Sequence, residues 1–177
     1  MSNNVSIIVT VEEQQNQLRR LLPRLLSQKY GGEYEVIVVD KKHDKDLEEW
    51  LDEMEVHYPN LCHTFCPASA RGIDLHKLAI TLGAKAANFE WLVILPVETS
   101  LPGDAWLTNL IAGIDDQTDN IICFTKRKRR HNWFWNIFRR KFSIFRTTSS
   151  IIICRRSIAL HPSDIKTSNS KINFREL

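Results

Sequence analysis

Residues 90–106 read EWLVILPVETSLPGDAW. The apolar run at 91–95 has the length and composition of a buried strand, and it stops at Pro96. The first polar groups beyond it are one carboxylate, Glu98, and two hydroxyls, Thr99 and Ser100, before a helical pattern, GDAWLTNLIAGI, takes over. Strand, polar loop and helix are the repeating parts of an open α/β sheet, whose ligands sit at the carboxyl ends of the strands. This edge offers a ligand a single acid; a divalent cation is usually held by one or two carboxylates together with phosphate oxygens.

The same alternation extends in both directions. NVSIIVTV (4–11) is a β-branched run, a strand. EEQQNQLRRLLPRLLSQ (12–28) spaces Leu18, Leu21, Leu22, Leu25 and Leu26 by threes and fours. That spacing predicts an amphipathic helix with acids in its first turn and a kink at Pro23. YGGEYEVIVVD (30–40) predicts a turn and a second strand ending in Asp40, and DKDLEEWLDEMEVHYP (44–59) puts Leu47, Trp50, Leu51 and Met54 on one helical face. LCHTF (61–65) reads as a third strand, and DLHKLAITLGAKAANF (74–89) as a helix with Leu75, Leu78, Ala79, Leu82 and Ala86 inward. NIICFT (120–125) and SSIIICRR (149–156) read as strands, with a helical pattern, HNWFWNIFRRKFSIFR (131–146), between them. The expected fold is α/β: three α/β/α layers around a mostly parallel sheet, one domain over 1–162 and a polar tail at 163–177. Polar stretches at 10–13, 40–46 and 96–100 would share one crevice if the first, second and fourth strands meet at a switch point.

Composition bounds the rest. A chain of 177 residues, 43% hydrophobic and 25% charged, is that of a soluble globular protein with one real core. No stretch approaches the roughly 18–20 apolar residues of a membrane span. MSNNVSIIVTVEEQ lacks a basic leader region and turns acidic, so no secretory signal is expected and the cytoplasm is the expected compartment. Cys62, Cys66, Cys123 and Cys154 do not make a zinc pattern and read as reduced, mostly buried thiols. Charge is sharply divided: residues 1–119 hold 10 Lys and Arg against 19 Asp and Glu, and residues 120–163 hold 11 Lys and Arg and no acid. Such a division favours a polyanion or an anionic surface as partner of the second region.

In order and spacing these segments resemble the family 2 glycosyltransferases, which have the GT-A nucleotide-sugar-binding fold. The family's SIIIPVYNE, SLLNQ and IIVVDDGSTD are met by SIIVTVEEQ (6–14) and RLLSQKYGGEYEVIVVDKKHDKD (24–46). Its GxxxAxGEYIxFLDSDD is met by GAKAANFEWLVILPVETS (83–100), its LPPDWLExL by LPGDAWLTNL (101–110), and its GANMAFRREAL by SSIIICRRSIAL (149–160). The resemblance implies transfer of a sugar from a nucleoside diphosphate donor, most commonly a uridine diphosphate sugar, to an acceptor hydroxyl. It implies nucleoside contacts from Thr10 and Val11 at the first strand end and from Asp40 at the second. Read without the family, Asp40 is equally a residue that caps the next helix. Lys77, Lys41 and Lys42 are placed to meet a diphosphate, or are solvated surface. The family's D-x-D, which holds a divalent Mg²⁺ or Mn²⁺, falls on Pro96, Val97 and Glu98. Glu98 is then the metal ligand of a weakened site; otherwise it is a loop acid, with Thr99 or Ser100 capping the following helix. No general base is assigned: Asp164 and Glu176 stand in no matching motif, and Asp115, Asp116 and Asp119 resemble a helix-end loop.

TKRKRRHNWFWNIFRRKFSIFR (125–146) carries nine Lys and Arg, two Trp and four Phe without an acid. Trp133, Trp135, Arg139, Arg140 and Lys141 make it a candidate for an anionic membrane surface or an acceptor groove. Packing of the aromatics in the core is the plainer reading, and single-stranded nucleic acid the least favoured. Three functions stay open: a glycosyltransferase on the inner membrane face, a non-catalytic relative binding nucleotide or a protein partner, and a basic adaptor built on the same fold.

Overall fold

The computed structural model describes residues 3–70, 74–112, 114, 120–124 and 150–160. Continuous apolar runs, which bury both faces of a strand, form β1 (Val5–Val11), β2 (Tyr34–Asp40) and β4 (Trp91–Pro96). The amphipathic segments form α1 (Gln15–Leu26), α2 (Lys45–His57), α3 (Leu75–Ala86) and α4 (Trp106–Ile111), with β3 (Leu61–Phe65) between α2 and α3. β5 (Asn120–Phe124), β6 (Ser150–Arg155) and α5 (Arg156–Leu160) complete the order. The strands make one sheet in the order β3-β2-β1-β4-β6-β5. β1 runs parallel to both β2 and β4, and β2 to β3. β6 lies antiparallel between β4 and β5, the one reversed strand. The chain steps outward from β1 through β2 to β3 and then returns to β4 on β1's other side, so the switch point lies between β1 and β4.

Two cores hold the helices to the sheet, as the three-layer expectation requires. Val5, Ile7, Val9 and Val11 of β1 face Leu18, Leu22 and Leu25 of α1, Leu47 and Leu51 of α2, and Trp106 and Leu107 of α4. On the opposite face Ile8, Ile37 and Leu92 meet the small residues Ala79 and Ala84 of α3 and Ala159 of α5. Small residues are needed there because α3 rides close on β1: a Cβ added to Gly83 would stand 2.7 Å from Ile8 Cγ2.

One detail of α1 differs from expectation. Its first turn holds no acid, because the helix starts only at Gln15. Glu12 and Glu13 remain in the loop, where they pair with Lys41 and Lys42 across from β2. The helix also continues to Leu26 through Pro23, which lies on the exposed side near its end. Just beyond α1, buried Gln28 ties the two ends of the domain's first half to its second. Its Nε2 donates to Arg24 O and Gly103 O, each at 3.0 Å, and its Oε1 accepts Leu107 N–H at 3.0 Å. α4 has no side-chain cap of its own. Gln28 therefore supplies one, since the first N–H groups of a helix need an acceptor. Neither Thr99 nor Ser100 caps α4, which begins six residues after Ser100; Thr99 N–H instead closes a turn onto Pro96 O at 3.0 Å.

Candidate functional site at the carboxyl edge of the sheet

The parallel register sets the site. Val11 pairs with Asp40, and Thr10 pairs with both Val39 and Pro96. The end of β1 therefore lies directly between the end of β2 and the loop that carries Glu98. Three polar stretches that are far apart in sequence become neighbours on one edge, the expected position for a ligand in an open α/β sheet.

Asp40 is 5% exposed, and its carboxylate is not a helix cap. Oδ1 accepts Lys42 N–H at 2.9 Å and Oδ2 accepts Asp44 N–H at 2.6 Å. The cap of α2 is Asp44, whose Oδ1 accepts the N–H groups of Asp46 and Leu47. Asp40 thus braces the loop, and the loop presents the cap. The tight bend passes through His43, the one non-glycine with positive φ among the described residues, at 54°. Its ring stacks on Phe65 at 3.6 Å between centroids, and Nε2 lies 3.2 Å from Glu48 Oε2. A carboxylate offers about four lone-pair sites, so two braced N–H groups leave Asp40 with acceptor capacity for a ligand.

The lysines beside it are already engaged. Lys41 Nζ lies 2.9 Å from Glu12 Oε2, with its side chain 15% exposed, and Lys42 pairs with Glu13. The Lys41 hydrogen bond and charge hold the Glu12 carboxyl below its ordinary range, and the Glu13 hydrogen bond lifts Lys42 above its own. These pairs strap the β1–α1 loop to the β2–α2 loop. Buried Cys66, after β3, donates its N–H to Asp40 O at 2.8 Å, and burial with the charge of Asp40 raises its thiol. Cys62, Cys66 and Cys154 are all free, the first exposed and the others buried. Lys77 stands exposed in the first turn of α3, its N–H held by the capping Asp74.

On the other side of β1, Pro96 and Val97 give no side-chain ligand, and Glu98 is exposed. Beside it Thr99 is 8% exposed, and its Oγ1 is buried with no hydrogen-bond partner among the described residues. A single exposed carboxylate is a sparse donor set. It fits a hard dication that takes most of its oxygens from a ligand's phosphates, and does not fit a protein-only cage. Trp133, Trp135, Arg139, Arg140 and Lys141, with Asp115, Asp116, Asp119, Asp164 and Glu176, lie outside the described residues. Among the described residues no helix is long and apolar enough to cross a membrane.

The profile of Glycosyl transferase family 2 matches residues 6–170. The chain belongs to that family. Its fold is that of solved glycosyltransferases. A mannosyltransferase from Pyrobaculum calidifontis, PcManGT, solved with GDP-Man and Mn²⁺, superposes with a TM-score of 0.58 at 20% identity, over 71% of this chain and 36% of that one. S. aureus TarS 1–349 in complex with UDP-GlcNAc superposes with a TM-score of 0.59 at 20% identity, over 92% of this chain and 48% of that one. The same TarS fragment with UDP gives a TM-score of 0.61 at 20% identity, over 92% of this chain and 49% of that one. The family 2 chain thus spans between a third and a half of the length of these solved structures. No curated protein sequence matches it.

Proposed function

We propose that the carboxyl edge of β1, β2 and β4 binds a nucleoside diphosphate sugar, of which a uridine diphosphate sugar is the first candidate, for transfer of the sugar to an acceptor hydroxyl. The observation that carries this reading is the register: Val11 against Asp40 and Thr10 against Pro96 bring the three polar stretches to one place. Thr10, Val11 and the spare acceptor capacity of Asp40 take the nucleoside. Lys77 and the strapped Lys41 and Lys42 supply positive charge toward the phosphates. Glu98 would hold a dication beside the diphosphate, and the ion would supply Lewis-acid and counter-charge stabilisation of the leaving phosphate. The mannosyltransferase of like fold, solved with GDP-Man and Mn²⁺, supports a donor taken together with a dication.

Turnover of a UDP-sugar by the purified chain, with and without Mn²⁺, tests the reading. A Lewis-acid contribution of several kcal/mol makes the expected loss on Glu98→Ala about 100-fold or more in the metal-dependent rate. Unchanged turnover in that variant would remove Glu98 from the mechanism. A second reading, nucleotide binding without transfer, is favoured by one observation: apolar Pro96 stands where the family carries the first acid of its D-x-D. It predicts nucleotide affinity with no turnover at all.

The basic segment at 125–146 supports a position at an anionic, cytoplasmic membrane face, since it carries nine cations and no acid. Binding to anionic vesicles should then be lost when Arg139, Arg140 and Lys141 become Gln, and retention by that variant would dismiss the membrane role.

A further inference from the structure

A second ligand set lies between α2 and the edge strand β3. Asp52 and Glu55 are three residues apart, so they share one helix face. β3 is the edge strand of the sheet and sets His63 against that face. His63 Nδ1 is 2.7 Å from Glu55 Oε1, and Nε2 is 3.9 Å from Asp52 Oδ1. One ligand atom from each of the three residues lies within 4.8 Å of the other two. The His63 side chain is 14% exposed and that of Glu55 33%, while that of Asp52 is 66% exposed. The set has a buried floor and a mouth open to water.

Both carboxylates lie within ion-pair reach of the ring, one on each nitrogen. An ionised carboxylate only accepts, so the 2.7 Å contact puts a proton on Nδ1 and uses one of the lone-pair sites of Glu55, with Nε2 toward Asp52. The Asp52 contact, at 3.9 Å, is too long for a hydrogen bond. Donor atoms bound at about 2.0–2.2 Å to one ion lie roughly 3–4 Å apart, and small side-chain rotations bring this set to that spacing. Imidazole with carboxylates suits zinc, manganese, iron and nickel, whereas magnesium and calcium favour all-oxygen sets.

We propose that Asp52, Glu55 and His63 form a binding site for a transition-metal dication of the zinc class. Water completes its coordination through the open side. This site is separate from the Glu98 loop. β3 and β4 are three strand spacings apart in the sheet order, about 14 Å, and His63 sits two residues back from the end of β3. An ion here cannot bridge a diphosphate beside Glu98, so any metal response of the protein has two possible origins.

The test is titration of the full chain with Zn²⁺, and with Co²⁺ followed by its visible absorption bands. One saturable ion per chain is expected, with Co²⁺ bands that shift from those of the aqueous ion. His63→Gln and Asp52→Asn should each weaken binding tenfold or more, and Glu55→Gln by about 10–100-fold. Asp52 is exposed, so its variant should fold normally and keeps the test valid if His63→Gln does not. Absence of saturable binding, or affinity unchanged in Asp52→Asn and His63→Gln, would overturn the proposal. The outcome is independent of nucleotide binding, which is read separately with Glu98→Ala.

Discussion

Replacing Asp40 by alanine is expected to lower the folding free energy by about 3 kcal/mol and to remove nucleotide binding altogether. Hydrogen bonds to a charged group contribute about 1.5–3 kcal/mol each, and the buried carboxylate accepts two, from Lys42 N–H and Asp44 N–H. Water reaches the exposed Lys42 end of the loop and recovers part of the loss. Without the brace, the loop that presents Asp44 to α2 and carries Lys41 and Lys42 loses its fixed path. Asp40→Asn keeps one acceptor and turns an amide N–H toward the other donor, so it should recover about half of the stability. Urea unfolding midpoints of the three proteins check this, read at constant slope. An alanine variant within about 0.5 kcal/mol of the parent would contradict the bracing role.

Gln28→Ala should cost a comparable amount, about 3 kcal/mol, although Gln28 lies far from any ligand. Its side chain serves three backbone groups, and an unsatisfied buried group costs about 1–3 kcal/mol. The Leu107 N–H, in the first turn of α4, would lose its acceptor, and Ala105 offers no replacement. Gln28→Glu would keep that acceptor but set a carboxylate against the carbonyls of Arg24 and Gly103, and it should not restore full stability. Hydrogen exchange at Leu107 separates the two effects: fast in the alanine variant, protected in the glutamate variant. Protection of Leu107 in Gln28→Ala would show that α4 is capped in another way.

The sheet was legible because its central strands are continuous apolar runs, and because each is followed by a segment with leucines at helical spacing. Trp91 to Pro96 and Tyr34 to Asp40 need no distant partner to declare themselves. The site was legible in position and not in wiring. Glu12 and Glu13 look like the first turn of a helix when only local order is read. They stay in the loop because Lys41 and Lys42, 29 residues away, are brought beside them by the parallel pairing of β1 and β2. Thr99 and Ser100 have the chemistry of a helix cap, yet α4 takes its cap from Gln28, which sits 79 residues before Leu107. The glutamine itself was visible at the end of RLLSQ; its three partners were not. His63 joins Glu55 and Asp52, 8 and 11 residues before it, only once the turn after α2 lays β3 back beside the helix.

The most direct measurement is calorimetric titration with UDP, GDP and CDP, with and without Mn²⁺, on the His63→Gln protein so that an ion at the α2–β3 site does not contribute. A donor site at the carboxyl edge requires one saturable nucleotide site, tightened by Mn²⁺ and lost in Asp40→Ala. No saturable binding of any of the three nucleotides, with or without Mn²⁺, would contradict it.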